Sequence, residues 1–155
     1  MKRCDESRLI SPTSTVTAPR RRRMELHNAA APNVFMPVAG LGTDFSFCEN
    51  ASTPNASFAA SLLWLQLGGR RFDGALSYGC DTGVGAAIRA SGVRRTEVFV
   101  VSKIGPGGLP LALGYNETLA QGKRILRDLR FSYVDLLLVH EPFSYWPLPS
   151  AASRA

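Results

Sequence analysis

Cysteine and histidine are scarce in this chain. Its three cysteines, Cys4, Cys48 and Cys80, form no C-x-x-C pair, and histidine occurs twice. An odd, scattered set of cysteines argues against both a disulfide framework and a zinc site, and suits a reducing compartment, so the expected location is cytoplasmic. No apolar run approaches the roughly 18–20 residues that a membrane span requires, so no bilayer crossing is expected. The leading segment also lacks the apolar core of a secretory signal. Acidic residues are outnumbered 12 to 18 by basic ones, a formal net charge of +6. Four of those six charges sit in residues 1–31, a Ser/Thr/Pro-rich stretch that contains Arg20-Arg21-Arg22-Arg23. No aromatic residue interleaves with the arginines, so there is no stacking platform for single-stranded nucleic acid. The stretch reads as a basic, disordered leader. Nucleic-acid binding or a regulatory role for the arginine run is the weaker reading. An organellar transit peptide stays open, with Asp5 and Glu6 counting against it.

What is present is a globular body. A hydrophobic fraction of 45% and a charged fraction of 19% are ordinary values for a folded domain, here residues 32–143, followed by an irregular tail over 144–155. Within the body, apolar runs alternate with helix-like segments. Met36–Leu41 reads as a strand closed by Gly42 and Thr43. Phe58–Leu67 reads as a helix capped by Ser57 and stopped by Gly68-Gly69. Arg70–Gly74 is a short strand. A second helix starts after Asp81 or Thr82 and ends at Gly92, with Val84 and Ile88 on its buried face. Glu97–Ile104 and Tyr133–Val139 contain the continuous apolar runs expected of parallel strands buried on both faces. Between them, Asn116–Leu129 reads as a helix. Its stripe runs through Tyr115, Leu119, Gly122, Leu126 and Leu129, and Gly122 would allow close approach to a sheet.

Strands alternating with helices imply right-handed parallel β-α-β units, from which both dinucleotide-binding sheets and β/α barrels are built. The first alternative requires G-x-G-x-x-G opening the first helix. Gly40-Leu41-Gly42 is followed by Thr43-Asp44-Phe45, so the third glycine is absent.

Three of the four strands end in an ionisable residue: Asp73, Lys103 and His140. In a parallel array all strand C-termini lie on one side of the sheet, where barrel active sites are built. Tyr78 follows Asp73 in the loop on that side. Each residue alone has a bland explanation, as loop solvation, a rim histidine or a tyrosine packed beneath a helix. Their recurrence at successive strand-to-helix junctions favours a site.

The segments carrying these residues, Gly69-Arg70-Arg71-Phe72-Asp73-Gly74-Ala75-Leu76-Ser77-Tyr78-Gly79, Val100-Val101-Ser102-Lys103-Ile104-Gly105-Pro106 and Tyr133-Val134-Asp135-Leu136-Leu137-Leu138-Val139-His140-Glu141-Pro142, resemble the corresponding motifs of the aldo-keto reductases, in the family's order. Met36-Pro37-Val38-Ala39-Gly40-Leu41-Gly42-Thr43 is similar to the family's opening strand. The resemblance spans roughly Val34 to Pro142. It implies a partial TIM (β/α)8 barrel of about the first four parallel strands with three intervening helices, since a closed barrel takes eight strands and about 250 residues. It also implies NADPH-dependent reduction of a small aldehyde or ketone to an alcohol without a metal. Tyr78 would be the general acid, Lys103 the cation that favours its phenolate, and Asp73 the partner that holds Lys103. His140 would bind and orient the substrate carbonyl. Gly42, Thr43 and Asp73 would approach the cofactor. The later strands, which carry most cofactor anchors, fall outside the match. An interaction protein on the same half-fold, self-associating through its open edge, is therefore the alternative expectation.

Overall fold

The computed structural model describes residues 22–27, 33–44, 55–105 and 114–141. Two strands, β1 (Arg23–Leu26) and β2 (Val34–Pro37), form an antiparallel pair. They precede a four-stranded parallel sheet of β3 (Leu41–Gly42), β4 (Arg71–Asp73), β5 (Phe99–Ile104) and β6 (Leu136–Val139). Helices α1 (Ala56–Gln66), α2 (Asp81–Ala90) and α3 (Tyr115–Leu129) fill the three connections.

Strand order decides the architecture. The sheet runs β3-β4-β5-β6, in chain order. Right-handed crossovers that always step to the next strand in one direction place every helix on one face. Accordingly α1 packs on α2, and α2 on α3. A doubly wound sheet would reverse direction at a switch point, and none occurs among these strands. The winding is that of a β/α barrel.

Strand alternation then assigns the faces. Phe72, Val100 and Ile104 point toward the helices and form a core with Val84, Ile88, Ile125 and Leu129. Fully burying side chains of this size stabilises by about 1.5–3 kcal/mol each. Trp64 of α1 adds a directional tie, its Nε1 donating to the Arg71 carbonyl at 3.0 Å. The opposite face carries Asp73, Val101 and Leu136 in one register row and Lys103 and Leu138 in the next. This is the inner face of the barrel wall.

Several expectations are corrected. The strand expected over Met36–Leu41 is split: Val34–Pro37 belongs to the hairpin, whose bonding runs on to Val38 N–H donating to Arg22 O at 3.0 Å, and only Leu41–Gly42 joins the sheet. Strand β1 falls within residues 1–31, so these four residues are paired rather than disordered; the tail 144–155 lies outside the described residues. Helix α1 is preceded by Asn55 with left-handed backbone, and Ser57 sits buried inside its first turn instead of capping it. The buried stripe of α3 keeps the expected Leu129 but departs from the expectation earlier in the helix. Ile125 and Leu129 are buried, whereas Tyr115 and Leu119 are exposed. A Cβ on Gly122 would meet nothing. The glycine that permits close approach is Gly85 of α2, where a Cβ would lie 2.2 Å from the Leu129 carbonyl oxygen. Cys80, the one cysteine among the described residues, is disulfide-bonded; an odd cysteine count leaves room for a single pair. Strand β6, whose apolar run is of the kind found in strands covered on both faces, is largely exposed, in keeping with the open edge expected of a half-barrel.

Candidate functional site

The four ionisable or phenolic side chains singled out in the sequence come together at the C-terminal ends of β4, β5 and β6. Asp73 ends β4. Two residues beyond its register partner Val101 stands Lys103, and two beyond Lys103's partner Leu138 stands His140. Each step of two keeps the side chain on the inner face. The backbone holds the last step, because His140 N–H donates to Ile104 O at 2.7 Å and continues the ladder past β6.

Tyr78 arrives by a different route. After β4 the chain buries Ala75 in extended conformation and then makes a single 3-10 turn, Leu76–Tyr78, that closes on Gly79 with φ 78°. The turn is pinned by Tyr78 N–H donating to Ala75 O at 3.0 Å. Buried Ala75 and Cys80 anchor its two ends, which lifts Ser77 and Tyr78 over the end of the sheet.

The contacts among the four are direct. Lys103 Nζ donates to Asp73 Oδ1 at 2.5 Å and to the Gly74 carbonyl at 2.8 Å. The same ammonium lies 5.2 Å from the centroid of the Tyr78 ring, within cation–π range. Tyr78 Oη is 3.3 Å from His140 Nε2, with the rings edge-to-face at 83°. The end of β5 is fixed from outside as well, since Gly105 N–H donates to Gln121 Oε1 of α3 at 3.0 Å.

Gly42, Thr43, Asp44, Asp73, Tyr78 and Lys103 line one cavity of about 380 Å³. Thr43 is buried, its N–H and hydroxyl both directed at the Asp73 carbonyl, at 3.0 and 3.4 Å. Gly42 leaves its side open, with no atom within 4 Å of where a Cβ would stand. His140 approaches through its contact with Tyr78 and is not part of the cavity wall.

Sequence reasoning missed three polar neighbours. Asp44 lines the cavity, and its position directly after Thr43 was the available signal. Ser77 lies 3.4 Å from His140 Nδ1, and its adjacency to Tyr78 could have marked it. Asp81, read as a helix cap, is instead the first residue of α2 and is buried, with Oδ2 lacking a hydrogen-bond partner among the described residues. Burial first, and the Asp128 carboxylate second, raise its pKa to about 7 against the opposing pull of Arg124. Its Oδ1 lies 3.5 Å from where a Gly74 Cβ would stand, just behind the Lys103 anchor.

A parallel sheet wound in one direction, with an acid, a phenol, a lysine and a histidine at its C-terminal end, defines part of a β/α-barrel wall. Residues 40–154 match the aldo/keto reductase family, and the chain belongs to that family. It is 37% identical over 114 residues to an aldo-keto reductase of Mycobacterium avium, covering 74% of this chain and 35% of that protein. It is 38% identical over 118 residues to a 9,11-endoperoxide prostaglandin H2 reductase of Trypanosoma cruzi, covering 76% of this chain and 37% of that one. Among solved structures, an aldo/keto reductase from Brucella melitensis superposes with a TM-score of 0.65 at 30% identity, over 84% of this chain and 44% of its own. The chain thus spans about a third to two-fifths of the length of the curated relatives it matches. The four strands and three helices correspond to part of the family's TIM barrel. No described helix is long and apolar enough to cross a membrane.

Proposed function

We propose that the site is the proton-donating side of an NADPH-dependent carbonyl reductase, acting on a small aldehyde or ketone. The observation that carries this reading is the contact chain Asp73–Lys103–Tyr78–His140 at one end of one sheet face. His140 Nε2 and Tyr78 Oη face each other at 3.3 Å, so a substrate oxygen docked between them would contact both groups. His140 orients the carbonyl. Tyr78 gives its proton to the oxygen as the carbon is reduced. The ammonium of Lys103 stabilises the phenolate left behind, and Asp73 keeps that ammonium in place.

The residues present fit the nicotinamide end of the cofactor. Gly42, Thr43 and Asp73 line the cavity beside Tyr78, and the open side of Gly42 admits a close approach. NADPH, when bound, supplies the hydride for the carbonyl carbon. Among the described residues of the cavity wall Lys103 is the one cation, and it is already paired with Asp73, so those residues offer no free cation there for the cofactor's phosphates. The test is NADPH oxidation by the purified chain with a reactive aromatic aldehyde, run beside Tyr78→Phe. Turnover that the phenylalanine variant loses supports the reading; no turnover in folded protein overturns it for this chain.

A second reading, a non-catalytic binding form of the same half-barrel, is favoured by β6, where Leu137, Leu138 and Val139 are 44%, 38% and 63% exposed. Size-exclusion chromatography separates the two, because a lone compact monomer counts against a binding edge.

A further inference from the structure

Two consecutive side chains of the 3-10 turn grip one imidazole. Ser77 Oγ lies 3.4 Å from His140 Nδ1 and Tyr78 Oη lies 3.3 Å from His140 Nε2. These are the only side-chain partners of His140 among the described residues, and Ser77 Oγ has no other partner there. The distances are long for hydrogen bonds, as is common for site contacts that tighten only around a substrate.

We propose that Ser77 is a positioning residue whose hydroxyl donates to His140 Nδ1 and thereby fixes the imidazole as the Nε2–H tautomer toward Tyr78. A neutral imidazole has one donor and one acceptor nitrogen, and the partner on one nitrogen decides the role of the other. If Nδ1 carried the proton, Nε2 would be an acceptor and would draw the Tyr78 proton toward itself, away from a substrate oxygen. With Nδ1 accepting from Ser77, Nε2–H is a donor, to the Tyr78 oxygen in the free site and to the carbonyl oxygen once a substrate docks beside both groups. Tyr78 then keeps its own proton for the substrate oxygen, which receives one hydrogen bond from each ring. Because Ser77 and Tyr78 share one turn, the donor that sets the tautomer and the acid that uses it move together.

The catalytic meaning of this arrangement rests on the reductase reading, but the tautomer does not, so the test has two separable arms. The chain contains two histidines, His27 and His140, so His27→Gln leaves a single imidazole in 15N-labelled protein. In alkaline buffer, where imidazole is neutral, long-range 1H–15N correlation should show a protonated-type Nε2 and an unprotonated-type Nδ1. Ser77→Ala should move both shifts toward the average of the two tautomers, and Ser77→Thr, which keeps the hydroxyl, should restore them. A protonated Nδ1 in the wild-type background, or shifts unchanged by Ser77→Ala, overturns the proposal. In the turnover assay Ser77→Ala should lower kcat roughly tenfold, the scale of one neutral hydrogen bond, with KM little changed and recovery in Ser77→Thr. Absent turnover alongside the expected shifts would remove the reductase reading and leave the positioning role standing.

Discussion

β5 and β6 are neighbours in one sheet, and β6 is the more apolar of the two in sequence, yet β5 is the one that is enclosed. Five of the six residues of β5 are buried, and none of the four residues of β6 is. The difference lies in what packs on each. β5 has β4 and β6 on its two sides and α3 against its face. β6 is the last strand of the sheet, and Leu137 and Val139, in register with helix-facing Ser102 and Ile104, stay exposed. An apolar run therefore records what a strand is built to be covered by, and not what covers it.

The largest effect should fall at the enclosed end of that contrast. Phe72→Ala removes a ring only 1% exposed at the centre of the core and should cost about 3–5 kcal/mol in urea unfolding. If it costs no more than an edge substitution, the two regions do not differ as described.

Asp81 should give the next largest signal. Its pKa is raised in the fold from 3.8 to about 7, so between those values the folded state holds more protons than the unfolded one. Stability is then greatest at the acidic end of that window and falls as pH rises through it, by up to about 1.4 kcal/mol per pH unit. Asp81→Asn should flatten the dependence in urea titrations across the window; an unchanged slope would place its origin elsewhere.

Gly85→Ala should cost about 1–3 kcal/mol, because its Cβ meets the backbone of Leu129 and not a side chain that can swing away. Gly122→Ala, on open helix surface, should be neutral or stabilising by up to about 1 kcal/mol. The smallest effect belongs to β6, where Val139→Ala should change stability by no more than about 0.5 kcal/mol. A loss of several kcal/mol there would mean that the edge is covered in solution.

Much of this was legible from sequence, for identifiable reasons. The alternation of strands and helices and the acid, phenol, lysine and histidine at strand ends follow from periodicity and chain order, which are local. What failed depended on partners distant in the chain. β1 looks like a charged leader until Val34–Pro37 is known to pair with it. Gly85 and Gly122 are equivalent as helix glycines until the C-terminal end of α3 is placed against α2. The α3 stripe drawn from Tyr115 to Leu129 is right at Leu129 but passes through exposed Tyr115 and Leu119 and omits buried Ile125, because helical spacing alone poorly resolves which of two adjacent rows faces the core. The four residues singled out in the sequence converge because three of them stand at the C-terminal ends of successive parallel strands and the fourth stands in the adjoining turn. Ser77 was missed because a serine in a loop carries no signal until His140 is seen beside it.

The central claim is that Tyr78 and Lys103 act as one proton-donating unit, and a double-mutant cycle tests it most directly. With NADPH and a reactive aldehyde, kcat would be measured for wild type, Tyr78→Phe, Lys103→Met and the double variant. Groups that act as a unit give non-additive losses, so the double variant should be no slower than Tyr78→Phe alone. Losses that multiply, or a wild-type chain that is folded and does not turn over, would contradict the account.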